Sequence, residues 1–175
     1  MLSLHSLAII EQLGISPATI AQRGLREFME ADIDTLEWVE TAADGREHRL
    51  IPVAAAAWRA LTSAAQADGL TLIIVSSFRS VQRQTEIIQG KLAAGQTIDD
   101  ILTSVAPPGY SEHHTGCAVD IASFDHPQLD ITFEHTPEFS WLQQHATRFG
   151  FTLSFLEGNA SGYQYEPWHW CFHTL

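Results

Sequence analysis

The sequence predicts an α+β fold in which helices flank a small, mainly antiparallel sheet. Three observations predict it: helical stretches opened by capping residues or proline and closed by glycine, short runs of strand character between them, and a hairpin turn. Residues 3–13 and 17–30 read as helices, the second with Ser16 as N-cap and Pro17 at the first helical position. Leu36-Glu37-Trp38-Val39-Glu40 alternates like a strand, and Asp44-Gly45 turns it into a second strand at His48-Arg49-Leu50-Ile51. Pro52 opens an Ala-rich helix to about Ala67, ended near Gly69. A strand over 71–76 follows, then a helix from Val81 to Ala94 ended by Gly95, and a short helix near 97–104. Pro107-Pro108-Gly109 is a rigid lead-in to the next segment. Residues 137–148 form a helix that packs Phe139, Leu142 and Ala146, Phe151 to Phe155 a strand, and Gly158 to Gly162 a turn into the last strand.

A chain of 175 residues without internal repeat or linker fits one domain, 1–175. Residues 1–50 form an N-terminal extension, either docked or capping a site, and about 51–175 the core. Apolar content of 45% against 17% charged reads as globular. A net charge of −12 argues against nucleic acid and against an anionic membrane surface, both of which attract basic patches. No run is long enough to span a membrane, and the start, interrupted by His5 and closed by Glu11, lacks a basic leader. The expected location is cytoplasmic as the chain stands, and periplasmic or extracellular if a signal was trimmed. Cys117 and Cys171 cannot build a disulfide framework and read as buried free thiols, with a bridge open to them if their strands are neighbours. Oligomeric state is not legible.

The chemistry sits in two segments, Ser111-Glu112-His113-His114-Thr115-Gly116-Cys117-Ala118-Val119-Asp120 and Glu166-Pro167-Trp168-His169. Together they supply two imidazoles, a carboxylate ligand and a spare carboxylate. A catalytic zinc takes three such ligands and keeps a fourth position for water. His113, Asp120 and His169 are the candidate ligands, and Glu166 the candidate base. On one helix His113 and Asp120 would lie about 10 Å apart at 1.5 Å rise per residue, too far for bonds of about 2 Å. Gly116 offers a turn that returns Asp120 on the following strand, Ala118 to Ala122. In Glu166-Pro167-Trp168-His169 the proline excludes a helix interior, and a twist or bulge is needed to bring positions i and i+3 to one metal.

These segments resemble the S-x-H-x-x-G-x-A-x-D and E-x-W-H patterns of zinc D-alanyl-D-alanine carboxypeptidases of the VanY type, LAS-type metallopeptidases. Ser76-Ser77-Phe78-Arg79-Ser80 is similar to that family's S-x-[FY]-R-S segment, with Gln84 five residues beyond the Arg. Ala106-Pro107-Pro108-Gly109-Tyr110 and Phe149-Gly150-Phe151 extend the likeness, which covers roughly residues 70 to 172. The resemblance implies a Hedgehog/DD-peptidase-like fold whose sheet carries the zinc. It implies His113, Asp120 and His169 as ligands, Glu166 as base, and Arg79 as the cation that binds substrate or polarises its carbonyl. It places Gln84 and Ser111 at the substrate's terminal carboxylate and Trp168 in an aromatic wall. Cys117 and Cys171-Phe172-His173 depart from the family pattern, outside the inferred ligands.

Plainer readings stand beside these. Gln84 and Ser111 read equally as a helix-surface residue and a turn cap, Trp168 as core packing, and His114 as lying beside the ligands or in solvent. Arg79 follows the apolar strand Leu72-Ile73-Ile74-Val75, at a strand end where site residues are displayed. The implied function is hydrolysis of a peptide bond at the C-terminal D-alanyl end of a peptidoglycan stem peptide or dipeptide. The alternatives are a peptidoglycan endopeptidase of the same family and a zinc-bearing binding module without catalysis.

Overall fold

The computed structural model describes residues 4–174, with side chains from residue 8. Ser3, the first residue of the expected first helix, lies outside the described residues. The main sheet has four strands, β3 (Leu72–Ser76), β4 (Ala118–Ser123), β5 (Phe151–Leu153) and β6 (His169–Phe172), in the order β3-β4-β6-β5. Every pairing in it is antiparallel. A separate hairpin pairs β1 (Glu37–Thr41) with β2 (Glu47–Leu50), closed at Gly45 with φ +86°. All six residues of β4 are buried, which is why this strand alternates only weakly in sequence.

Helix α3 (Pro52–Ala67) packs on the sheet through Ala54, Trp58, Leu61 and Ala65, with Trp58 edge-on to Phe151 at 6.0 Å. Helix α6 (Pro137–His145) adds Phe139 against Trp170, and continues as a 3-10 turn to Phe149, where Gly150 takes φ +81°. Phe139, Leu142 and Ala146 are buried as expected. A second cluster joins Ile10 of α1 (Leu4–Gln12), Leu13, Ile15 and Ile20 of α2 (Pro17–Gln22) to Ile88 of α4 (Val81–Ala93) and Ile101 of α5 (Ile98–Ile101). The N-terminal segment is thus docked. No described helix is long and apolar enough to cross a membrane.

Three elements are shorter than expected. The helix expected over 17–30 stops at Gln22, because Gly24 takes φ +58° and tertiary partners capture the backbone beyond it. Phe28 N donates to the Gly109 carbonyl and Ala31 N to the His114 carbonyl, both at 2.8 Å, so this stretch runs along the metal-loop lead-in. The helix expected over 97–104 is a single turn, Ile98–Ile101, and β5 ends at Leu153, two residues before Phe155.

Candidate metal centre

The first segment turns as Gly116 requires. Glu112–Thr115 is one 3-10 turn, Gly116 takes φ +69°, and β4 then brings Asp120 back beneath His113. A Cβ at Gly116 would stand 2.9 Å from Leu36 Cδ2 and 3.2 Å from the Ile51 backbone, so glycine is needed for space as well as for φ. Across the sheet Ser76, Asp120 and His169 are register neighbours on β3, β4 and β6. The bend in the second segment is neither a strand twist nor a bulge. It is a turn in which His169 N donates to the Glu166 carbonyl at 3.0 Å, while Ile121 N donates to the Trp168 carbonyl at 2.8 Å.

His113 Nε2 lies 3.1 Å from Asp120 Oδ2, and His169 Nδ1 lies 2.9 Å from Asp120 Oδ1. The two rings meet edge-on at 4.9 Å, and one ligand atom from each of the three residues lies within 4.8 Å of the others. Tetrahedral zinc bonds of about 2 Å put ligand atoms roughly 3.3 Å apart, so little adjustment is needed. The far ring nitrogens are also fixed. His113 Nδ1 donates to the Ser77 carbonyl at 2.7 Å and His169 Nε2 to Glu112 Oε2 at 2.9 Å, leaving Nε2 of His113 and Nδ1 of His169 free to ligate. Two imidazoles and one carboxylate, all buried, fit a divalent cation of the zinc type.

Electrostatics divide the carboxylates. Burial alone would raise the Asp120 carboxyl, but His113 and His169 hold it well below the usual range. Glu112 resists burial in the same way, brought to about 2 by His169 and by the Ser154 hydroxyl at 2.6 Å. Burial lowers His113, whereas His169, which burial would also lower, is pushed up by its bonds to Asp120 and Glu112. Glu166 behaves differently: burial raises it to about 7, with Asp120 and Glu112 reinforcing and His169 and Arg79 opposing. Among the described residues its carboxylate, unlike its backbone carbonyl, makes no hydrogen bond to the three clustered residues, which leaves it available to accept a proton.

Every sequence-predicted site residue lines one cleft of about 310 Å³. Arg79 Nη1 donates to Gln84 Oε1 at 3.0 Å and Nη2 to Ser76 Oγ at 2.7 Å, with Asp120 Oδ2 at 3.7 Å from Nη2. Gln84 is fully buried and its Nε2 donates to the Ala106 carbonyl at 2.6 Å, so it is not a helix-surface residue. Ser111 is buried at the cleft, and its side chain caps no backbone N–H. Trp168 belongs both to the core and to the cleft wall. His114 lies beside the ligands, not in solvent: fully buried, it bonds the Arg79 carbonyl through Nδ1 at 2.6 Å and accepts from Gly109 N through Nε2 at 3.1 Å.

The sequence reading passed over Glu112 and Tyr163, which also line the cleft. Glu112 carried a signal in its adjacency to His113, but nothing local says that its carboxylate meets His169, 57 residues away. Cys117 and Cys171 are both free thiols, although β4 and β6 are neighbours; Cys171 is buried and Cys117 half-buried.

Comparison with known proteins agrees with this geometry. The sequence model of VanY, D-alanyl-D-alanine carboxypeptidase, matches residues 47–175. A protein of Bacillus subtilis (strain 168) that bears the name carboxypeptidase YodJ is 35% identical over 120 residues, 66% of this chain and 43% of that relative. The chain therefore spans less than half the length of that protein. Among solved structures, the LdcB LD-carboxypeptidase, described for its peptidoglycan recognition, superposes with a TM-score of 0.71 at 29% identity, over 81% of this chain and 69% of its own. A variant of the vancomycin-resistance D,D-pentapeptidase VanY in complex with Zn(II) gives a TM-score of 0.62 at 28% identity, over 85% and 84%. With the match running over 47–175 and the His113-Asp120-His169 group inside it, the chain belongs to the VanY family of D-alanyl-D-alanine carboxypeptidases.

Proposed function

We propose that this chain is a zinc-dependent carboxypeptidase that hydrolyses a peptide bond at the C-terminal D-alanyl end of peptidoglycan stem peptides or dipeptides. The observation that carries the reading is a buried three-ligand group sharing one cleft with a carboxylate and a guanidinium, Glu166 and Arg79. Family membership and the zinc-bound VanY relative support the choice of metal. His113, Asp120 and His169 would hold the zinc, which when bound would supply a Lewis acid and lower the pKa of a bound water.

The chain's own groups do the rest. Glu166 takes a proton from the attacking water and returns it to the leaving amine, a role suited to a carboxyl raised toward neutrality. Arg79, braced by Gln84 and Ser76, offers its remaining N–H groups to the substrate carbonyl or carboxylate. Ser111 and Gln84 complete the polar end of the cleft, and Trp168 gives it an apolar wall.

The relatives divide between D,D and L,D names, and either stereochemistry fits this proposal. The endopeptidase alternative shares the same chemistry. Against the inactive binding module stands Glu166 itself, intact and in place. A cytoplasmic enzyme would meet free dipeptides, and a periplasmic or extracellular one stem peptides; cell fractionation decides. Mass spectrometry of products from defined muropeptides, with and without zinc, tests the reading: release of terminal alanine supports it, and cleavage confined to internal bonds overturns it in favour of the endopeptidase.

A further inference from the structure

The N-terminal segment precedes the stretch that matches the family, yet it grips the wall of the cleft at one defined place. Arg23, which ends α2, donates from Nε to the Ser161 carbonyl at 2.7 Å and from Nη1 to the Leu102 carbonyl at 2.8 Å. Its guanidinium stands over the Tyr163 ring, 4.4 Å from the centroid. Gly162 beside it takes φ +69°, a backbone conformation that favours glycine. Gln164 N also donates to the Thr103 carbonyl at 2.8 Å. Arg23 therefore ties together the two segments that bring Ser104 to Ala106 and Tyr163 to Glu166 to the cleft.

Tyr163 is 9% exposed and lines the cleft with Glu166. Its hydroxyl is buried and has no hydrogen-bond partner among the described residues. Buried polar groups are nearly always paired, so an unpaired one at a cleft wall points to a ligand. Burial raises its pKa to about 12; Arg23 opposes the rise, and the Glu166 and Glu112 carboxylates reinforce it. The phenol is thus a donor throughout the neutral range.

We propose that the Tyr163 hydroxyl donates a hydrogen bond to an acyl oxygen of the bound peptide, and that Arg23 is the positioning residue that holds Tyr163 to that task. The inference rests on the peptidase reading above and deepens it, because it makes the N-terminal segment part of substrate recognition.

The test is calorimetric binding of acetyl-Lys-D-Ala-D-Ala to the zinc-loaded full chain carrying Glu166→Gln to stop turnover. Tyr163→Phe keeps the ring under Arg23 and removes only the hydroxyl. Binding should weaken about three- to tenfold, with the melting temperature unchanged. Arg23→Ala should cost a similar factor, and adding it to Tyr163→Phe should cost little more, since both act through one contact. Should Arg23→Ala compromise folding, Arg23→Lys replaces it, keeping charge without the two-carbonyl fork. Unchanged binding in Tyr163→Phe overturns the proposal, and fully additive losses overturn the positioning role. The two readings separate in the Glu166 parent: absence of turnover by the wild-type chain overturns the peptidase reading, whereas turnover that Tyr163→Phe leaves untouched overturns only this inference.

Discussion

Glu112 Oε2 accepts a hydrogen bond from His169 Nε2 at 2.9 Å while also taking the Ser154 hydroxyl at 2.6 Å. The carboxylate thereby fixes the tautomer of a candidate ligand whose other nitrogen faces Asp120. Carboxylates of this kind typically contribute about 10- to 100-fold in metal affinity. Glu112→Ala should lose zinc affinity by a factor in that range, read by chelator competition, while the chain stays folded. Equal affinities in the two proteins would show that the contact is incidental.

Metal binding should be stoichiometric, one zinc per chain, because His113, Asp120 and His169 are the one such group among the described residues. Elemental analysis of His169→Ala and His113→Ala should each show near-complete loss. Full occupancy in either variant places the metal elsewhere.

Glu166→Gln should retain the metal and lose turnover by about 10² to 10⁴, the usual contribution of a general base. A second effect follows from burial. A carboxyl raised from 4.5 to about 7 in the folded chain binds its proton more tightly there than when unfolded. Its contribution to stability is therefore fully present below pH 4.5 and lost as pH rises toward 7. In the metal-free protein Glu166→Gln should accordingly be more stable than the parent at pH 8, by up to about 3 kcal/mol. The two should converge near pH 4. Thermal melts in chelator at both pH values read this directly, and a variant less stable than the parent at pH 8 would contradict it.

Arg79→Lys should lose about 1.5–3 kcal/mol of transition-state stabilisation, the worth of a charged hydrogen bond. Lysine keeps the charge but cannot bond Gln84, Ser76 and a substrate carboxylate from one planar fork. Steady-state kinetics on a free and a C-terminally amidated peptide separate the two uses of the arginine. Equal cleavage of both peptides would remove the exopeptidase reading.

The sequence by itself picked out the candidate ligand group, the carboxylate proposed as base and the turn between His113 and Asp120. These rest on residue chemistry and on a glycine whose positive φ no other residue adopts as readily. It also located the helix opened by Pro52 and the helix from Val81 ended by Gly95, since proline and glycine act locally on the backbone. Tertiary structure decided whatever depends on contacts distant in sequence. The helix expected beyond Gln22 gave way because Gly109 and His114 supplied carbonyls to Phe28 and Ala31. The bend from Glu166 to His169 became a turn because β4 holds the Trp168 carbonyl. Glu112, His114, Gln84 and Tyr163 acquired their surroundings only when separate segments met: a side chain's type is written at its position, but its hydrogen-bond partner is set by the packing of the whole chain.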